Sequence, residues 1–96
     1  MTVEINLDGS RWQTEDDFYT DVLAALGAPT WHGRNLNALA DSLGGGDLNR
    51  VNPPLSITIT GSQQMGAEAE RVARQFLELC DDLAEHGVAV DAALAI

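Results

Sequence analysis

The sequence predicts an α/β fold, a two-layer sandwich in which a three-stranded parallel sheet carries helices on one face. Three observations lead there. Three short segments alternate apolar with polar residues as half-buried strands do: Val3, Ile5 and Leu7; Leu55, Ile57 and Ile59; Val88, Val90, Ala92, Leu94 and Ile96. Both connections between them contain helical periodicity and are too long for hairpins, so parallel strands joined by right-handed crossovers are the economical arrangement. The alternation then argues against helices on both faces, because a doubly covered parallel sheet reads as continuous apolar runs.

The elements follow in order. Thr2 to Leu7 is the first strand. Thr14 followed by Asp17 resembles a capping box with Asp in place of Glu, and it opens a helix through Phe18, Val22, Leu23 and Leu26 that Gly27 ends. Pro29 keeps the chain extended. A second helix runs from about Arg34 to Leu43, with Leu36, Leu39, Ala40 and Leu43 on one side and Arg34, Asn37, Ala38 and Asp41 on the other. Gly44, Gly45 and Gly46 end it and begin a polar loop, expected to be mobile, that reaches Pro53 and Pro54. Asp41 therefore falls in the last turn, where a carboxylate meets the negative end of the helix dipole at a cost of roughly 0.3–1 kcal/mol. Leu55 to Thr60 is the clearest strand. Gly61 to Gly66 is a connector with little periodicity. From Ala67 to about His86 a longer helix buries Ala69, Val72, Ala73, Phe76, Leu79, Cys80 and Leu83, and Gly87 marks its end.

Composition bounds the function. The 96 residues, 45% of them hydrophobic, suffice for one domain over 1–96 that folds without staples. One cysteine, Cys80, excludes an intramolecular disulfide, and the lack of a basic and apolar leader or a long apolar run points to the cytoplasm. Fifteen acidic against five basic residues give a net charge of -10, which disfavours nucleic acid and anionic membranes and suits a cationic partner, although solubility alone explains it equally well.

Catalytic candidates are thin. Cys80 lies on the apolar side of the long helix with no base placed beside it, and His32 and His86 sit in unrelated segments. No Cys-x-x-Cys, His-x-x-x-His or calcium-loop spacing occurs, and the glycine run lacks the ending of a phosphate loop. No catalytic residue, metal or cofactor is expected.

The informative stretch is Pro29 to Leu43, PTWHGRNLNALADSL, which sets an aromatic and a turn directly before an amphipathic helix. Trp31, Gly33, Asn35, Asn37 and Asp41 form one outward surface. Trp31 offers a large, stiff anchor for a partner, or else packs on Leu36 and Leu39 as core. Gly33 permits a positive φ or a close backbone approach, or caps the turn. Asn35 can donate to a partner or satisfy the first turn of its own helix. Asn37 stands one turn before Asp41 and is otherwise a solvated helix residue. Asp41 points away from the core, toward a partner or toward Arg34.

The order Pro29, Trp31, Gly33, Asn35-Leu36, Ala38-Leu39, Asp41-x-Leu43, with Phe76-x-Glu78 on the long helix, resembles the signature of the barstar family, small intracellular inhibitors of a secreted ribonuclease. Chain length and strand order agree. The resemblance implies that Asp41 is the central acid occupying the place of a substrate phosphate in the ribonuclease, and that Glu78 is a second acidic contact, unless Arg74 one turn earlier claims it. The partner it implies is a cationic microbial ribonuclease or ribonuclease-like toxin domain. Three departures point to a relative of the type member's target: Asn37 replaces an acid, Ala40 replaces a bulky aromatic, and the glycine-rich loop replaces an aromatic segment. The competing reading is an acidic adaptor or regulatory module with a non-nuclease partner on the same face.

Overall fold

The computed structural model describes residues 2–45 and 48–95. Strand β1 (Val3–Asp8) leads to helices α1 (Glu15–Leu26) and α2 (Leu36–Gly45), strand β2 (Leu55–Thr60), a single 3₁₀ turn at Ser62–Gln64, helix α3 (Ala67–Glu85) and strand β3 (Val90–Leu94). The strands form one sheet in the order β1-β2-β3, parallel throughout. Register lines up the apolar rows Val3–Leu55–Val90, Ile5–Ile57–Ala92 and Leu7–Ile59–Leu94 on one side. Leu55, Ile57 and Ile59 of the central strand are buried, whereas Glu4, Asn6, Asp8, Thr60 and Asp91 on the opposite side face solvent. Helices thus cover one face only, as the alternation requires. Val88 is not in the third strand: its N–H donates to Leu83 O at 2.9 Å, which spends it on closing α3. Ile96 lies outside the described residues.

The core is organised around Phe18, whose ring meets Trp12, Tyr19 and Phe76 edge-on at 5.6, 5.0 and 5.5 Å between centroids. Trp12, also buried, donates from Nε1 to Asp21 Oδ2 at 2.6 Å.

Helix α1 starts as its sequence dictates. Thr14 Oγ1 accepts from Asp17 N at 3.3 Å, and Asp17 Oδ2 accepts from Gln13 N at 2.8 Å and Thr14 N at 3.2 Å. Those N–H donors, Gln13 first and Thr14 second, hold the Asp17 carboxyl below its ordinary range. A depressed carboxylate contributes stability that is present above its unfolded pKa and lost as pH falls through the folded value. Urea midpoints of the parent and Asp17→Asn should therefore differ at pH 7 and draw together as pH falls below the ordinary carboxylate range. A constant gap across that range would rule the cap out as the cause. Gly27 ends α1 at φ 66°, the left-handed conformation a glycine adopts freely.

Helix α2 is displaced from its expected span by two residues at each end. Asn35 Oδ1 accepts from Ala38 N at 2.8 Å, so Asn35 is the cap and Leu36 the first helical residue. Arg34 remains outside and reaches across to α1. At the far end Gly44 and Gly45 stay helical because α2 packs against α3: Leu43 and Ser42 are each 2% exposed, and tertiary burial outweighs the poor propensity of glycine. A Cβ on Gly44 would sit 3.5 Å from Leu83 Cδ2, ordinary van der Waals contact. Gly44→Ala should accordingly raise stability by about 0.5–1 kcal/mol. A lowered thermal midpoint would show that α2 needs its glycine there. Gly46 and Asp47 lie outside the described residues. Beyond them the connector is not loose: Arg50 N donates to Gly27 O at 3.3 Å and Val51 N to Leu26 O at 3.0 Å, fastening it to the end of α1.

Candidate functional site

The loop from Pro29 to Asn35 and the outer side of α2 build one surface. Arg34 straps that loop to α1. Its guanidinium donates from Nε to Asp16 Oδ1 at 3.0 Å and from Nη2 to Asp16 O at 2.8 Å and Thr20 Oγ1 at 2.7 Å, and Nη2 lies 2.8 Å from Asp16 Oδ1 as an ion pair. This pairing removes Arg34 as a partner for Asp41. Gly33 does not use a positive φ; what it supplies is space, since a Cβ there would lie 3.0 Å from Ala38 Cβ and 3.1 Å from Asn35 Nδ2. The loop therefore lies tightly on the first turn of α2.

Trp31 is 73% exposed, so it is not core. An indole held open to water on a strapped loop has the character of a binding anchor, large in area and poor in rotational freedom to lose. Trp31, His32, Gly33, Ala38, Asp41 and Leu48 line an open hollow of about 170 Å³. Asp41 is exposed and takes no hydrogen bond or ion pair among the described residues. Because α2 runs on to Gly45, Asp41 also stands before the last turn, and the expected clash with the helix dipole largely disappears. Asn37 is exposed one turn earlier, while the Asn35 carbonyl is committed to the cap.

Glu78 is exposed on α3 and does not line this hollow. Arg74 does not claim it, pairing with Glu70 at 2.8 Å. From Gln75 to Glu85, α3 carries Glu78, Asp81, Asp82 and Glu85 and no Lys or Arg, and α2 carries none either. The C-terminal half of α3 and all of α2 thus present carboxylates with no Lys or Arg in the same stretch. Two larger hollows of about 390 and 400 Å³ lie where the connectors into β2 and β3 meet, but small side chains and backbone line them, with Asp91 as the one ionisable group.

The structure adds residues that periodicity overlooked. His32, 5% exposed, donates from Nδ1 to Gly33 O at 2.7 Å, and its Nε2 lies 2.9 Å from Ser42 Oγ. Asn49 Nδ2 donates to the same hydroxyl at 3.2 Å, and Asn52 Nδ2 to Asn49 O at 3.0 Å. Ser42 lies between Leu39 and Leu43 on the apolar stripe of α2, a signal that a buried hydroxyl needs partners.

Nothing here assembles a nucleophile. Cys80 is buried and its thiol is pushed up to about 12 by burial first, with Asp81 and Asp91 adding to it. Among the described residues no group of three or more His, Cys, Asp or Glu could hold a metal ion, and no helix is long and apolar enough to cross a membrane.

A search of the curated proteins finds no match to this chain. A family model described as "Barstar (barnase inhibitor)" matches residues 2–94.

Proposed function

The chain belongs to the barstar family of barnase-type ribonuclease inhibitors, and from that premise we propose that it occludes the active site of a cationic microbial ribonuclease, or a ribonuclease-like toxin domain, inside the cell that makes it. The observation that carries this reading is the exposed Asp41, unpaired among the described residues, and the exposed Trp31 lining one hollow. A ribonuclease centre gathers cations to hold a phosphodiester, and a carboxylate offered without a cation of its own takes the place of that phosphate. Trp31, Gly33, Asn35 and Asn37 are the further contacts of this reading on the same loop and helix, and Glu78 supplies a second acidic contact from α3.

Direct inhibition titrations against guanyl-type microbial ribonucleases test the reading, with one-to-one stoichiometry expected. The net charge of -10 adds a kinetic expectation, because opposite fields steer encounter and salt screens them. Stopped-flow association should slow as ionic strength rises from about 0.01 to 0.5 M. A rate indifferent to salt would remove steering, and a chain that inhibits none of these enzymes would favour the non-nuclease adaptor.

A further inference from the structure

We propose that the open edge of β1 is a second docking site, independent of the inhibitor reading above, which takes an extended segment of alternating basic and apolar residues as a fourth strand of the sheet. Three features meet there: a row of backbone groups with no strand beside it, a half-covered apolar row on the helix side, and carboxylates on the reverse side.

The ladder fixes which backbone groups are available. Strand β1 pairs with β2 alone, so its other side is an edge. Val3 N donates to Pro54 O at 3.0 Å and Gly9 N to Thr60 O at 2.8 Å. In a parallel ladder each residue turns its N–H and C=O to the same side, and successive residues alternate. Val3, Ile5, Leu7 and Gly9 therefore face β2, while Glu4, Asn6 and Asp8 turn theirs outward, where no other described strand meets them. Such a row is a template for an added strand.

The side chains say what kind of strand fits. On the helix side Val3 is 43% exposed and Ile5 and Leu7 are only half-buried, whereas their register partners Leu55, Ile57 and Ile59 are closed off. Apolar residues of a fourth strand would cover what the helices leave bare. On the reverse side Glu4, Asn6 and Asp8 are exposed, and the side chains of Glu4 and Asn6 make no hydrogen bond among the described residues. Asp8 Oδ1 accepts from Ser10 N at 3.0 Å, which leaves Oδ2 open. The Ser10 N–H, and after it the Ser10 side chain, hold the Asp8 carboxyl below its ordinary range, with Arg11 adding to them from beyond ion-pair distance.

Charge then selects the occupant. Glu4 and Asp8 flank Asn6, so the complementary strand reads basic, apolar, polar, apolar, basic. A second copy of this chain fits badly. In the antiparallel register that pairs the whole of β1 with itself, Glu4 stands opposite Asp8 at both ends, and each copy carries a net charge of -10. Acids on the edge thus oppose self-association while admitting a cationic strand. The other edge, β3, offers less: its one carboxylate, Asp91, already accepts from Ser56 Oγ at 2.8 Å, and Ala92 and Ala93 present little area.

The probe is a capped peptide, Thr-Lys-Val-Thr-Val-Lys-Thr, titrated into the full ¹⁵N-labelled chain beside the same peptide with Glu in place of Lys. The basic peptide should bind saturably and slow hydrogen exchange at the amides of Glu4, Asn6 and Asp8, and the acidic one should bind at least about tenfold more weakly. Asn6→Pro deletes the central outward N–H without touching the ladder to β2, at a kind of position where edge strands tolerate proline. It should abolish peptide binding and leave the thermal midpoint and ribonuclease inhibition close to those of the parent, whereas Asp41→Ala should leave peptide binding unchanged. Glu4→Lys, which has no side-chain bond to lose among the described residues, should bring the two peptides to within about threefold of each other and decides the matter if Asn6→Pro does not fold. No binding at millimolar peptide, binding that leaves the three amides unprotected, or a peptide preference unmoved by Glu4→Lys would overturn the proposal. A concentration-dependent dimer that protects the same amides without peptide would overturn it in favour of a second copy. None of these results bears on the inhibitor reading, which is tested at Trp31 and Asp41.

Discussion

Asp41→Ala should abolish tight ribonuclease inhibition while leaving the protein folded. Stability is spared because Asp41 is exposed, makes no bond among the described residues and lies inside α2, where alanine is the better helix former by a few tenths of a kcal/mol. Affinity is not spared. A carboxylate seated against phosphate-binding cations leaves those cations desolvated and unpaired when it is removed, which costs about 2–5 kcal/mol or more, a range for which barnase–barstar is itself the reference pair. The expected loss is from about 30-fold upward. Glu85→Ala, away from the hollow on the solvent side of α3, should cost at most about 1 kcal/mol. Thermal melts with inhibition titrations of both variants and Glu78→Ala separate the two halves. An Asp41→Ala protein that inhibits like the parent would falsify the phosphate-mimic reading, and one that unfolds would contradict the placement of Asp41 on an open helix face.

The largest effect on folding is expected at Phe18. Its ring is fully buried and touches Trp12, Tyr19 and Phe76, so it joins the residues before α1 and the helix itself to α3. Phe18→Ala should cost about 3–5 kcal/mol, the lost transfer energy of the ring plus the cavity left among side chains that cannot collapse onto it. That is a large share of the roughly 5–15 kcal/mol typical of a whole domain, and it should lower the thermal midpoint by more than about 12 °C. A loss below about 1.5 kcal/mol in urea titrations would mean that the neighbouring aromatics repack.

Much of this fold is legible in the sequence because its signals are local. The Thr14–Asp17 cap and Gly27 bracket α1 within their own segment, and the alternation over Leu55–Thr60 needs no neighbour to be read. Helix α2 is harder for the opposite reason. Its start depends on Asn35 capping, with Arg34 drawn off to α1, and its end depends on α3 holding two glycines helical. Neither fact exists in the isolated segment. The outward side of Asp41 is legible from helical phase, whereas Trp31 lies before the helix and its two readings stay open in the sequence; the structure resolves them in favour of exposure. The line from His32 to Ser42 and Asn49 is not, since it spans ten and then seven residues and forms only when the loop folds back on α2.

A sheet covered on one side leaves the molecule with a reverse face, and this makes it a ready carrier for an attached reporter. Asn6 is exposed there, its side chain free of hydrogen bonds among the described residues, in the row with Thr58 and Ala93. A thiol introduced by Asn6→Cys would be accessible to maleimide dyes, whereas the native Cys80 thiol is buried and, near neutral pH, almost wholly protonated. No cysteine need be deleted first. A fluorophore or surface tether fixed at this position leaves Trp31, Asp41 and the acidic stretch of α3 unobstructed, so the chain can be immobilised by its back and still offer its helices to a partner.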